Sequence, residues 1–436
     1  MRWSSRADSR VVEAVISSFT ESPEQSYKIL SKFKKTAWLR SYHWLDASGM
    51  SLYFLDQVVC LGIENSLPSE TLARLRQNLA DNRNRTSDMY EEFISINQAF
   101  QRAGVQYSNL KGFTLSPESC PDPTLRCQLD FDFLVNANQL DICREILCTS
   151  GYVLAAATAT TWEFKAGASA LSNISDLYKS KPQRSVELHF ISSTHTAHQP
   201  SRDERLDRLS WRSWNGHAFP VLSRADQFLE QACHLFGHIC SPYTRVSWLL
   251  EYKRHVLARY SDTLFWKEVR ERSNSRHHTD IAIGISTLIS SKIFGAKAPE
   301  CLNSWTLDTL PAPVRLWTNQ YGRRSVLADF PGTKLYFLLR DELQSGDEIL
   351  RDRTSRLLPL HRAPRITLTR SNDSLWTRIR NTVYQGRFVI FRLRFHLIEG
   401  HRYAIENVRW KRRRHSLGFS RTNSTKKKSS FTNAKV

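Results

Sequence analysis

Residues 128–135 read Gln-Leu-Asp-Phe-Asp-Phe-Leu-Val and carry the densest chemical signal in the chain. In a β-strand successive side chains point to opposite faces, so Asp130 and Asp132 share one face while Leu129, Phe131 and Phe133 bury on the other. Two adjacent carboxylates repel unless a cation joins them. Oxygen pairs of this kind suit Mg²⁺, which is commonly held by one or two carboxylates together with the phosphates of a substrate. The strand therefore points to chemistry on a nucleoside triphosphate, although the same alternation also describes an ordinary strand with one wet face.

The flanking segments add to the reading. Val105–Leu110 has the pattern of a short strand, and Lys111-Gly112-Phe113-Thr114-Leu115 breaks it where a helix can begin. A glycine there lets backbone approach a phosphate, and the free N–H groups of a helix start attract anions. Downstream, Ser185–Ile191 alternates again, with Glu187 and His189 on one face and Val186, Leu188 and Phe190 on the other. Glu187 is a candidate third carboxylate. Arg126 lies four residues before Asp130 and is either a phosphate contact or half of a structural ion pair. Thr114 either binds a phosphate oxygen or bonds back within the first helical turn.

In order and spacing, Leu110-Lys-Gly, Arg126-x-x-x-Asp-Phe-Asp-Phe-Leu-Val and the later Glu187-Leu-His resemble the uncharacterised nucleotidyltransferase family of the polymerase-β superfamily. The resemblance extends over residues 35–330. It implies an α+β fold, a polymerase-β-like mixed sheet flanked by N- and C-terminal helical regions. It also implies a nucleotidyltransferase that moves a nucleoside monophosphate from an NTP to a hydroxyl acceptor by two-metal catalysis. Asp130, Asp132 and Glu187 would be the catalytic metal ligands, for Mg²⁺ or Mn²⁺, and Lys111, Gly112, Thr114, Arg126 and His189 would face the nucleotide, ATP or another triphosphate. The chain departs from the family in the loop 116–123, which lacks the usual glycines, and at Phe131, where isoleucine is commoner.

Two rival functions remain open on the residues alone. One is a catalytically inactive nucleic-acid-binding protein with this fold, which a missing ligand carboxylate would favour. The other is a glycosyltransferase that uses Asp-x-Asp on a nucleotide-sugar, which predicts a Rossmann-like sheet before the motif.

The elements that must position these residues are legible in outline. Residues 1–104 read as helical, with Met89, Phe93, Ile96 and Phe100 at helical spacing after Pro68 and Gly104 placed to end the run. Residues 105–222 form the mixed core, with a helix near 137–149 and a hairpin or loops between Ala155 and Pro182. Residues 223–330 read as helical again, residues 331–400 as a C-terminal region, and residues 401–436 as a basic disordered tail. His234 and His238 are four apart without the glutamate of a zinc peptidase motif, and Glu251 is expected to pair with Arg245 or a histidine.

With 436 residues, 41% of them apolar, the chain can bury a large core. No segment reaches the roughly 18 uninterrupted apolar residues of a spanning helix, and the start has no signal-peptide run, so a cytoplasmic location is expected. The eight cysteines show no Cys-x-x-Cys and are expected to be free thiols. The formal charge is +20, and residues 401–436 contribute eleven Lys or Arg against Glu406 alone. That balance favours a polyanionic acceptor such as tRNA, or an anionic lipid contact, or simply a solubilising end.

Overall fold

From Ser9 to Arg102 the described regular structure is helical, and each start has a local cause. The computed structural model describes residues 7–167, 176–180, 184–191, 203–274, 278–295, 297–343 and 374–419. Helix α1 (Ser9–Ser17) is capped by the Asp8 carboxylate, which accepts from Arg10 N, and α2 (Pro23–Leu30) by Ser22, with proline in its first turn. Then come α3 (Lys35–Ala47), α4 (Met50–Cys60) and the 34-residue α5 (Ser69–Arg102), which stops at Ala103-Gly104. The C-terminal half of α5 lays Phe93, Ile96 and Phe100 on a sheet.

That sheet has seven strands in the order β3-β4-β5-β2-β1-β7-β6. They are β1 (Tyr107–Leu110), β2 (Phe131–Val135), β3 (Tyr152–Ala157), β4 (Thr161–Ala166), β5 (Arg184–His189), β6 (Leu209–Trp214) and β7 (His217–Leu222). β2 runs parallel to β5 and β1 parallel to β7, while the other pairs are antiparallel, so the sheet is mixed and the fold is α+β. Helix α6 (Leu140–Thr149) joins α5 over one face, where Phe131, Phe133, Val135, Val186 and Leu188 are buried. Leu110 and Leu134 bury on the opposite face with Leu206 and Leu222. Alternation thus sends Asp132 and Glu187 away from α5, as the strand pattern requires. Leu129 departs from expectation. It precedes β2 and is exposed, because the ladder begins only at Phe131.

No described strand precedes Tyr107, which disfavours the nucleotide-sugar reading. The hairpin β6–β7 closes through Asn215-Gly216, both at positive φ as a two-residue hairpin turn requires. After it come α7 (Arg224–Ile239), α8 (Val246–Ala258), α9 (Thr263–Ser273) and α10 (Thr279–Phe294). All eight cysteines are free, and Cys60, Cys148 and Cys301 are exposed.

The chain divides into two units, residues 1–234 with 245–308, and residues 235–244 with 309–436. The second unit therefore takes in residues 309–330, which the sequence pattern grouped with the helices after the sheet. Within it, Gly332 at φ 95° lies so close to Pro242 that a Cβ would sit 1.7 Å from the Pro242 oxygen, and Thr333 N donates to the same oxygen at 2.9 Å. The expected tail from residue 401 is corrected here. Residues 401–416 complete a single helix, Leu375–Ser416, because Tyr403 and Trp410, two turns apart, bury on the same side. Trp410 Nε1 donates to Glu342 Oε1 at 3.1 Å, Tyr321 donates to Glu406 at 3.0 Å, and Phe337 packs on Tyr403. Lys411–Arg414 lies on this helix, and Lys426–Lys428 lies outside the described residues.

Trp410→Ala in the full chain is expected to cost about 3–5 kcal/mol, the usual loss for emptying a buried indole site, whereas Arg412→Ala on the exposed side should stay within about 0.5 kcal/mol. Urea unfolding followed by circular dichroism separates the two; equal midpoints would show that the chain beyond residue 400 is not part of the fold.

Candidate active site

Four adjacent strands bring the acidic residues together. Across β2 and β5, Asp132 is paired with Glu187 and Leu134 with His189, and β1 sets Leu110 beside Asp132. β4 adds Glu163 opposite Glu187 and Thr161 opposite His189. The Asp132 carboxylate is buried, and two cations meet it on one oxygen. Lys111 Nζ and His189 Nε2 each lie 2.9 Å from Asp132 Oδ1. His189 Nε2 also lies 3.4 Å from Glu187 Oε2, and its Nδ1 is 3.3 Å from Thr161 Oγ1.

Charge explains the titration of each group. Burial alone would raise Asp132, but Lys111 and His189 outweigh it and hold the carboxyl well below the usual range. Asp130 has no such partner, and burial together with the charges of Asp132 and Glu187 pushes it up to about 6. Burial would lower His189, yet its hydrogen bonds to Asp132 and Glu187 raise it to about 9. Lys111 is likewise raised, the attraction of Asp132 prevailing over burial. At neutral pH the cluster holds a charged Asp132, an ammonium and an imidazolium.

Asp132, Glu187 and His189 each offer one ligand atom, all within 4.8 Å of one another. Asp130, which precedes β2, is not in this group but feels the charges of Asp132 and Glu187. The donor set fits a hard divalent ion: carboxylate oxygens suit Mg²⁺ or Mn²⁺, and the imidazole is acceptable to Mn²⁺. His234 packs edge-on against Trp248. Neither it nor His238 belongs to a metal-competent group among the described residues.

The phosphate-loop expectations are met only in part. Gly112–Leu115 is a single 3₁₀ turn of four residues, so no extended helix starts there. Gly112 sits at φ 50°, a backbone conformation that favours glycine, and a Cβ there would fall 2.4 Å from the movable Gln128 Nε2. Lys111 itself sits at φ 52°, ψ −155°, a region other residues leave to glycine at a cost on the order of 1–3 kcal/mol. Thr114 takes the second of its two expected roles, its hydroxyl donating to Lys111 O at 2.7 Å. Arg126 is a structural partner, its Nε 3.2 Å from the buried Glu251 carboxylate. Glu251 accordingly pairs with Arg126 and not with Arg245, and Tyr53 donates to it at 3.0 Å.

Sequence reasoning missed the side chains that hold the approach to β2. Asn82 donates to the carbonyls of Thr124 and Arg126 at 2.6 and 3.2 Å, and Arg85 to that of Gln128 at 2.6 Å. Their signal was available. Asn82 and Arg85 continue the Met89-Phe93-Ile96-Phe100 stripe toward the N-terminus, where polar residues on a buried face mark backbone to be satisfied. Glu230, held by Arg205 at 2.8 Å, also contributes to the field at Lys111.

Over residues 34–293 the sequence matches the family described as "Uncharacterised nucleotidyltransferase". Among curated proteins none matches. A solved structure that is similar in part is the crystal structure of an antigenic nucleotidyltransferase-like protein from Paracoccidioides brasiliensis, at 11% identity, covering 49% of this chain and 93% of that one with a TM-score of 0.28.

Two outcomes follow from the electrostatics. Arg126→Met strands a buried carboxylate at Glu251 and is expected to cost about 3–5 kcal/mol, most of it recovered in Arg126→Met/Glu251→Met, as chemical denaturation of the three proteins would show. The second concerns pH. A carboxyl raised above its unfolded value, about 3.9, destabilises the fold progressively as pH climbs through about 6, while the raised His189 contributes fully below about 6.5 and loses its contribution as pH rises through about 9. Asp130→Asn removes the first effect only. Its melting temperature at pH 7.5 should exceed that of the parent, by a stability gain on the order of 1 kcal/mol, and the difference should vanish near pH 4. Parallel melting curves across this range would reject the assignment.

Proposed function

The chain belongs to the uncharacterised nucleotidyltransferase family, and on that footing we propose that it transfers a nucleoside monophosphate from a nucleoside triphosphate to a hydroxyl acceptor, with release of pyrophosphate. The observation that supports the reading is the β2–β5 register, which sets Asp132 beside Glu187, with Asp130 just before the start of β2. Asp130, Asp132 and Glu187 would hold Mg²⁺ or Mn²⁺, which would supply positive charge to offset the charge developing on the triphosphate.

The chain's own groups divide the remaining work. Lys111 supplies a positive charge beside Asp132 that a phosphate oxygen could share, and a backbone approach at Gly112 would require the Gln128 side-chain amide to move aside. Glu187 would help to take the acceptor's proton, its carboxylate lying 3.4 Å from His189 Nε2. To act as a ligand His189 must first lose the proton that Asp132 holds on it, so metal affinity should rise with pH. Arg126 and Thr114 serve the architecture and not the nucleotide. Retention of all three carboxylates supports an active enzyme over an inactive nucleic-acid binder with the same fold. The reading extends to a cytoplasmic setting, and to tRNA or another polyanion as acceptor, the latter suggested by the basic composition.

Incubating the full-length protein with each α-labelled triphosphate, Mg²⁺ or Mn²⁺, and pools of tRNA, protein and metabolites should yield a labelled adduct. Asp132→Asn should lose metal-dependent triphosphate binding in calorimetry. Glu187→Gln should keep most of that binding while turnover falls on the order of 10²-fold or more. Unchanged Mg²⁺-nucleotide affinity in Asp132→Asn would remove the metal site and the reaction with it.

A further inference from the structure

The helix Leu375–Ser416 buries one side and leaves another bare. Asn381, Glu399, Tyr403, Glu406 and Trp410 are buried. On the exposed side Trp376, Ile379, Val383, Ile390, Leu393 and Leu397 follow one another at intervals of three and four, with Gly386 filling the one gap, which at 100° per residue forms a continuous stripe. Arg380, Arg387 and Arg394 run alongside at seven-residue spacing. The whole helix carries eleven Lys or Arg and two Glu. Both acids are engaged, Glu399 with Arg402 and Glu406 with Arg324, Arg409 and Tyr321, so the charge turned outward is positive.

Three kinds of surface could cover such a face. A second copy of the helix would bring the same excess of arginine against itself, which disfavours an apolar seam between copies. A nucleic acid would satisfy the arginines but leave the row of leucine, isoleucine and valine in water. An anionic lipid surface satisfies both at once, with apolar side chains at the headgroup–acyl boundary and guanidinium groups on the lipid phosphates. No described helix is long and apolar enough to cross a membrane, so the geometry is that of a helix lying in the interface.

We propose that the exposed face of Leu375–Ser416 is a docking surface for anionic lipid bilayers, through the Trp376–Leu397 stripe and its flanking arginines. The test is co-sedimentation of the full-length protein with vesicles of phosphatidylcholine alone or with phosphatidylglycerol at roughly a third of the lipid, the fraction bound being read against salt. Binding is expected only to the anionic vesicles. Ile390→Ser/Leu397→Ser should weaken it on the order of 10-fold. Arg387→Ser should weaken it roughly fivefold and flatten the salt dependence. These positions are exposed, so melting temperatures should match the parent. No binding to anionic vesicles overturns the proposal. Binding that survives Ile390→Ser/Leu397→Ser and is competed away by RNA also overturns it, as would show a nucleic-acid surface. So does a concentration-dependent dimer in sedimentation equilibrium that the same double substitution abolishes.

Discussion

Everything at the site depends on keeping Asp132 ionised in a place water barely reaches. A buried carboxylate without partners is driven toward its protonated form, and burial with the nearby charges of Asp132 and Glu187 pushes Asp130 up to about 6. Asp132 escapes it because an ammonium from the end of β1 and an imidazole from the end of β5 both address the same oxygen. That requirement reaches outward. It fixes the parallel pairing of β2 with β5, the antiparallel pairing of β1 with β2, and the unusual backbone of Lys111, whose strain persists because the ion pair and the tight passage at Gly112 over-determine it. Any ion bound at the proposed site would share the Asp132 carboxylate with these same cations. The arrangement is a balanced charge cluster, poised between internal salt bridges and external ligands.

Much of this was legible in the residues, for a physical reason. Strand alternation has a period of two, so Asp132, Glu187 and His189 could be assigned to one face without coordinates, whereas Asp130 falls just before the ladder, and the helical stripe Met89–Phe100 announced α5. What was lost involved partners distant in sequence. Arg126 could have been a phosphate ligand or a structural cation until Glu251 appeared beside it, 125 residues away. The helix end at 401–416 was hidden because its burial rests on only two aromatic residues among many charges. The β6–β7 hairpin was a different kind of loss. Asn215-Gly216 is a strong two-residue turn signal, and the flanking Trp211, Trp214 and Phe219 supplied the β-propensity that goes with it.

The support of the site is as informative as the site. Residues 124–128 lead into β2 without regular pairing of their own, and their carbonyls are taken up by Asn82 and Arg85 from α5 while Arg126 is locked to Glu251 of α8. Two helices thus aim the first carboxylate of the motif, one from its backbone and one from its side chain. The family match over residues 34–293 spans all of these supports, from α3 to α10, and is not confined to the sheet.

The lock between Arg126 and Glu251 also has a kinetic meaning. Contacts that close loops of more than a hundred residues are entropically expensive to nucleate and form late, after helices and hairpins have organised locally. A ribosome extending this chain exposes the Asp-x-Asp segment well before it delivers α8, and during that interval an unpaired guanidinium and unpaired strand edges are open to solvent. The Arg126–Glu251 lock is thus completed only once α8 has been added, although the acidic cluster itself is built within residues 111–189.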